Sequence, residues 1–265
     1  MSAPPRITVI TVCRDRLPAL RRTVASVLSQ AYPALEYWIV DGASSDGTRE
    51  YLEELRLRGV RTLSEPDRGI ADAMNKGVRL ATGEWVAHLH ADDEYLPGAL
   101  ATVARHAAAG DADVLCGWLV KRERTGEVVY HCDPSRLPAE MTINHPATFV
   151  RREMFERLGG FDLAFPNAMD YEFFLRLHAA GARFRVIPEP LARMAWGGQS
   201  ERSAWRTQRE GRDIRRRHSA SAWHRSQAFF LLLVARLEAR EWLQHAGLGG
   251  LVAWYRRHFA TLKKS

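Results

Sequence analysis

Cysteine is scarce in these 265 residues, with only Cys13, Cys116 and Cys132. The three are widely spaced, odd in number and form no C-x-x-C pair. A disulfide framework or a cysteine-rich zinc site is therefore disfavoured, and a reducing compartment is the expectation. A secretory leader is also lacking: residues 1–6 are short and proline-rich, and residues 7–12 already read as a core strand. Long apolar runs are missing too. The longest spans residues 228–235, well below the roughly 20 residues a helix needs to cross a bilayer. Three glycine signatures are absent. Without G-x-G-x-x-G after the first strand a dinucleotide dehydrogenase is disfavoured, without G-x-x-x-x-G-K-[ST] a P-loop enzyme, and without G-x-S-x-G an α/β-hydrolase. Any phosphate bound here falls to metal and side chains rather than to a glycine cradle. There is no internal repeat and no low-complexity linker.

Apolar residues make up 46% of the chain, enough for a sizeable core and against global disorder. The net charge of +7 is unevenly spread: residues 1–200 balance at −2 and residues 201–265 at +9. The basic tail carries Trp205, Trp223, Trp242 and Trp254 beside Phe229-Phe230-Leu231-Leu232-Leu233. Its composition suits an anionic surface, lipid headgroups or nucleic acid. Packing on the first domain or on a second subunit suits the apolar run equally well. The domain expectation is a catalytic unit over residues 1–202 and a basic helical extension over residues 203–265.

Residues 7–12, Ile-Thr-Val-Ile-Thr-Val, form a β-branched run of strand length. Leu17, Leu20, Val24, Val27 and Leu28 then recur at helical spacing, with Asp15 placed to cap. Residues 37–40, 60–63 and 84–90 read as further strands, with helices over 48–57 and 70–80. Strands alternating with helices predict a mostly parallel sheet with helices on both faces. Ligands in such sheets bind beyond the carboxyl ends of the strands. Asp41 and the pair Asp92-Asp93 both fall there. The second half is less regular. Strands are predicted over 113–118 and 127–132, meeting near Thr125-Gly126, and another over 184–187. Helices are predicted over 151–158, 170–180 and from about 203 onward.

Four places could carry chemistry. Adjacent Asp92 and Asp93 repel each other, and a hard divalent cation shared with phosphate oxygens relieves that; a solvated acidic loop or a helix cap is the bland alternative. Asp41 opens a polar loop that can accept hydrogen bonds from a base and ribose, or simply turn and cap the next helix. His145 is a lone histidine, more often structural than catalytic. Asp170 opens a helix, either as a favourable charge at the N-terminus or as a general base toward a hydroxyl.

Taken together the pieces resemble the family-2 glycosyltransferases of GT-A fold. The resemblance runs from the first strand through Ser26-Val27-Leu28-Ser29-Gln30-Ala31-Tyr32-Pro33 and Val40-Asp41-Gly42-Ala43-Ser44-Ser45-Asp46-Gly47-Thr48. It continues through Ser64-Glu65-Pro66-Asp67-Arg68-Gly69-Ile70-Ala71-Asp72-Ala73-Met74-Asn75-Lys76-Gly77, Ala81-Thr82-Gly83-Glu84-Trp85 and His90-Ala91-Asp92-Asp93-Glu94-Tyr95. It covers about residues 6–200. The resemblance implies a Rossmann-like, mostly parallel sheet and transfer of a sugar, with inversion, from a nucleotide-sugar to an acceptor hydroxyl. It implies Thr11, Asp41, Asp67, Arg68, Asn75 and Asp92 as nucleotide-sugar contacts, Asp92 and Asp93 as ligands of Mg²⁺ or Mn²⁺, and Asp170 as the base. His90 stands where the family's D-x-D motif has its first acid, and Met169 where many relatives have an acid. Glu172 is a secondary candidate. The Glu65–Gly77 pattern is similar to bacterial enzymes of exopolysaccharide or lipopolysaccharide synthesis, so the implied acceptor is a saccharide or lipid-linked, at the inner face of the cell membrane. The alternative is a degenerate nucleotide-sugar-binding protein whose tail holds nucleic acid, and the near-complete acid set favours the enzyme.

Overall fold

The computed structural model describes residues 3–123, 126–195 and 204–218. The elements alternate through the first half: β1 (Ile7–Cys13), α1 (Leu17–Leu28), β2 (Leu35–Asp41), α2 (Thr48–Arg56), β3 (Arg61–Ser64), α3 (Ile70–Leu80) and β4 (Trp85–His88). Then follow β5 (Asp93–Tyr95), α4 (Ala99–Ala107), β6 (Val114–Glu123), β7 (Gly126–Tyr130), β8 (Thr148–Arg151), α5 (Arg152–Leu158), α6 (Met169–Ala179), β9 (Phe184–Met194) and α7 (Ala204–His218).

One sheet holds all the described strands in the order β3-β2-β1-β4-β8-β6-β9-β5, with β7 paired to β6. The half β3-β2-β1-β4 is parallel, as is the β6–β9 pair. β8 runs antiparallel between β4 and β6, and β5 antiparallel to β9. The register sets Cys13 beside Asp41 and Asp41 beside Ser64, so the loops after β1, β2 and β3 emerge on one edge. The chain after β4 joins them, because the Leu89 amide donates to the Ile10 carbonyl at 3.0 Å.

Both sheet faces are covered, which is why β1 is buried at every position. Side chains alternate across a strand. Ile7 and Val9 join the core under α1, α2 and α4, while Ile10 and Val12 join the core under α3, α5 and α6. Ile214 of α7 lies in the second core. Contacts group Met1–Ile214 into one compact unit and Arg215–Ser265 into another, so the start of the basic extension packs with the catalytic unit.

Within the described residues the predicted helices and most strands are where periodicity placed them, though no span was predicted for α4 and β6 and β9 run on to Glu123 and Met194. β4 stops at His88, and the chain then turns into the short strand β5. β8 carries no predicted strand and shares only Arg151 with the helix predicted over 151–158. Asp15 does not cap α1: its backbone sits at φ +50° and its Oδ1 accepts from the Ser45 amide at 2.8 Å. Asp46 takes the capping role from the neighbouring loop, accepting from the Leu17 amide at 2.9 Å. Among the described residues no helix is long and apolar enough to cross a membrane. Trp205 is exposed, but Trp223, Trp242, Trp254 and the apolar run at 229–233, on which the surface-binding expectation rests, lie outside the described residues.

Candidate active site

The loops beyond β1 and β2 are laced together. Asp41 ends β2 with no exposed surface. Its carboxylate accepts from the Ser44 hydroxyl, from the Ser44 amide at 3.1 Å and from the Ser64 hydroxyl at 2.6 Å. Ser44 Oγ in turn accepts from the Asp15 amide at 2.7 Å. Asp41 therefore shapes the Gly42–Gly47 loop from within, and a base could reach it only if those bonds rearranged. Asp67 packs against Gly42 so closely that any Cβ there would collide with its carboxylate. That contact puts Asp67 at the rim of the same loop. Arg68 is exposed beside it and forks onto Asp72 through its backbone amide and guanidinium, both at 3.1 Å.

Two residues expected to touch the nucleotide are engaged elsewhere. The Thr11 hydroxyl is buried, donating to the Leu89 carbonyl at 2.7 Å and lying 2.9 Å from Tyr37 Oη. It ties β1 to the chain after β4. Asn75 clamps the Phe161 backbone: its Nδ2 donates to the carbonyl at 2.8 Å and its Oδ1 accepts from the amide at 2.7 Å. Asn75→Ala would leave both backbone groups without a partner. We expect a loss of about 2–3 kcal/mol of stability, read as a lower urea midpoint, with donor affinity little changed. Unaltered stability with lost donor affinity would show that Asn75 meets the ligand after all.

The acidic loop is held by α1. Thr23 Oγ1 donates to the Asp93 carbonyl at 2.8 Å, and Ser26 Oγ accepts from the Tyr95 amide at 3.1 Å. Gln30 reaches the Leu96 carbonyl at 3.0 Å. The Ser26–Gln30 motif is therefore a support for this loop. Asp92 sits at φ +101°, a region that costs a non-glycine residue on the order of 1–3 kcal/mol and clusters at functional sites. Its carboxylate is partly exposed and lies 3.4 Å from both Arg16 and Arg22. Neither arginine is distinctive in the sequence; only the packing of α1 on the loop brings them there. Asp93 differs. It is buried, and burial together with the flanking Asp92 and Glu94 pushes its carboxyl up to about 8. The two acids expected to act as a pair thus have unlike surroundings. Asp92 offers an accessible hard oxygen to a cation, whereas Asp93 is enclosed and protonated near neutrality.

His90 turns inward. Its ring lies 5.4 Å from that of His145, and His88 lies 5.6 Å from His145. Phe155, Phe161 and Phe174 wall this cluster. Burial lowers His90 to about 3, with His145 adding to the effect, and lowers His145 to about 4. Both imidazoles are therefore neutral at pH 7. The position that carries an acid in the resemblance holds a neutral ring packed against His145. His145 is the link that a lone histidine did not reveal, because its Nδ1 lies 3.9 Å from Asp170 Oδ2.

Asp170 stands in the first turn of α6, with its side chain 27% exposed. Burial raises its carboxyl to about 6; the Tyr171 amide, donating at 2.8 Å, works against the rise and Glu210 adds to it. Glu172 is locked on Arg176 at 2.7 Å and buried, and Arg176 also donates to the Gly159 and Gly160 carbonyls. Glu172 is thus a structural brace rather than a second base. Met169 is buried in the second core. Asp170 remains the one accessible acid of Asp170-Tyr171-Glu172.

Residues 8–173, more than half of the chain, match the sequence profile of Glycosyl transferase family 2. The chain is a family 2 glycosyltransferase. Its relatives include an uncharacterized glycosyltransferase of Mycobacterium tuberculosis, 32% identical over 183 residues that cover 66% of this chain and 70% of the relative. A PGL/p-HBAD biosynthesis glycosyltransferase of Mycobacterium bovis is 31% identical over 179 residues, again 66% of this chain and 70% of the relative. Among solved structures, S. aureus TarS 1-349 in complex with UDP-GlcNAc superposes with a TM-score of 0.67 at 18% identity, over 79% of this chain and 65% of that one. The mannosyltransferase PcManGT from Pyrobaculum calidifontis, in complex with GDP-Man and Mn²⁺, gives 0.70 at 23%, over 98% and 82%. At such identities the structural likeness establishes the fold, and the fold of this glycosyltransferase is GT-A.

Proposed function

We propose that this glycosyltransferase moves a sugar from a nucleoside-diphosphate sugar to an acceptor hydroxyl by a single displacement with inversion. The observation that carries the reading is Asp170. It is a carboxyl poised near 6 and partly open to solvent, and it stands beside a neutral His145 whose ring neighbours the chain leading to Asp92. A base with a pKa near the working pH is well matched to taking a proton from a hydroxyl as that oxygen attacks. With Glu172 braced by Arg176, no second free carboxylate stands next to Asp170 on α6 to act as a nucleophile, which favours one displacement over two.

Asp92 would meet a divalent cation. Among the described residues no three His, Cys, Asp or Glu side chains converge as a metal cage. A magnesium-like ion commonly takes one or two carboxylates and completes its shell with substrate phosphates and water, and the single accessible Asp92 fits that pattern. Such an ion, when bound, neutralises charge developing on the leaving diphosphate. Arg16 and Arg22, already beside Asp92, are placed to pair with phosphate oxygens. Asp67 and Arg68 would border the nucleoside at the rim of the Gly42–Gly47 loop, with Asp41 acting from beneath. The neighbours solved with UDP-GlcNAc and with GDP-Man and Mn²⁺ support this donor class. A saccharide or lipid-linked hydroxyl is the acceptor class, and an anionic membrane surface the partner for the basic extension.

The test follows nucleoside diphosphate release from UDP-GlcNAc and GDP-Man with Mn²⁺ between pH 5 and 9. We expect an acid limb near 6, with release at pH 5 about tenfold below the plateau, because the base must be ionised to act. Release that stays flat from pH 8 down to pH 5 would remove Asp170 from the role.

A further inference from the structure

The helix that opens the basic extension reaches into the active site. Glu210 lies on α7, within the first compact unit. Its Oε2 accepts from the Asn167 amide at 2.8 Å and from the Ala168 amide at 2.9 Å, and its Oε1 accepts from Asn167 Nδ2 at 2.6 Å. These amides lie at the entrance to α6. The helix begins after Ala168, which has no side chain able to cap it. A helix N-terminus needs acceptors for its free amides and favours negative charge, and Glu210 supplies both from more than 40 residues away. Two residues further on, Asp170 Oδ1 accepts from the Tyr171 amide. Ile214, one turn beyond Glu210 on α7, is buried in the core that also holds Ala168, Met169 and Phe173, so the carboxylate is held at this place by packing.

We propose that Glu210 is a positioning residue for Asp170, fixing the first turn of α6 with a carboxylate at the helix start. The extension would thereby be part of the catalytic apparatus rather than a surface tether alone. The proposal rests on the reading of Asp170 as the base. His145 lies 3.9 Å from Asp170, and the Glu210 charge acts on it from the start of α6; Glu172, two residues along the same helix, is already paired with Arg176. Of these Glu210 is the carboxylate whose charge favours the protonated form of Asp170.

The experiment compares Glu210→Gln, Glu210→Ala and Asp170→Asn in the full chain. It follows Mn²⁺-dependent nucleoside diphosphate release against pH, and the Asp170 carboxyl carbon by NMR, a readout that needs no substrate. Glu210→Gln keeps an accepting oxygen but removes the charge. The acid limb and the Asp170 titration should both move down by about half a pH unit. Glu210→Ala removes the acceptor as well, and its plateau should fall about tenfold or more with donor KM nearly unchanged, as misplacement of a catalytic group does. If Glu210→Ala proves too unstable to assay, the Glu210→Gln titration decides alone. An unmoved Asp170 titration in Glu210→Gln would overturn the proposal while leaving the base in place. Full release by Asp170→Asn would instead overturn the reading of the base, and the proposal with it.

Discussion

Asp170→Asn should lower sugar transfer by about 10²–10⁴-fold, the usual contribution of a positioned general base, while donor affinity stays within about twofold. The amide is nearly isosteric with the acid, and its oxygen can still accept from the Tyr171 amide, so the first turn of α6 is kept. What is lost is the ability to take a proton. The substitution also carries a stability signature of definite sign. The Asp170 carboxyl rises to about 6 in the folded chain from an ordinary value of 3.8, so the fold binds its proton more tightly than the unfolded chain does. The stability this contributes is fully present below about pH 4 and is lost as pH rises through 6. Asp170→Asn has no such loss. Its melting temperature should therefore exceed that of the parent protein above pH 6, and the gain should vanish below pH 4. A variant that transfers sugar normally, or binds donor much more weakly, would remove Asp170 from the chemistry.

Asp92→Asn should weaken Mn²⁺-dependent donor binding by roughly 10–100-fold, the scale found when a metal site loses a well-placed partner. Asparagine is a better probe than alanine here, because the backbone at φ +101° tolerates asparagine more readily than most side chains. An amide oxygen is a poorer ligand for a hard cation than a carboxylate, and it also releases Arg16 and Arg22 from their ion pairs. Chelator should bring the parent protein down to the affinity of the variant and leave the variant unchanged. Asp93→Asn should do far less, since Asp93 is enclosed and already protonated near neutrality. Equal effects from the two substitutions would restore them as a pair. Donor binding indifferent to chelator and to both changes would remove the metal.

The parts of this fold legible from the sequence are those whose signal is local. α3 could be bounded at Ile70 and Leu80 because its apolar spacing and its flanking glycines lie within a few residues of each other. β5 and β8 could not. They are three and four residues long, and they become strands only through antiparallel partners far along the chain. The same division runs through the site. Asp92 follows a strand and Asp170 begins a helix, positions that sequence patterns mark. That Asn75 serves the Phe161 backbone, 86 residues on, and that Thr11 points inward are consequences of packing, whereas the Glu172–Arg176 pair is local i,i+4 spacing. The unlike surroundings of Asp92 and Asp93 are likewise invisible in two adjacent identical letters. Arg16, Arg22 and Glu210 carry no local pattern that separates them from ordinary surface residues, and only the folded chain brings them beside Asp92 and the start of α6.

The measurement that bears most directly on the account is the anomeric configuration of the product. An α-linked nucleoside-diphosphate sugar, accepted by the glycosyltransferase in the presence of Mn²⁺, is converted over the first turnovers while the anomeric proton of the transferred sugar is observed by NMR. A single displacement with Asp170 as base predicts a β-linked product, formed by the parent protein and lost in Asp170→Asn. An α-linked product would contradict the account, because retention requires a different arrangement of groups at the anomeric carbon from the one built around Asp170.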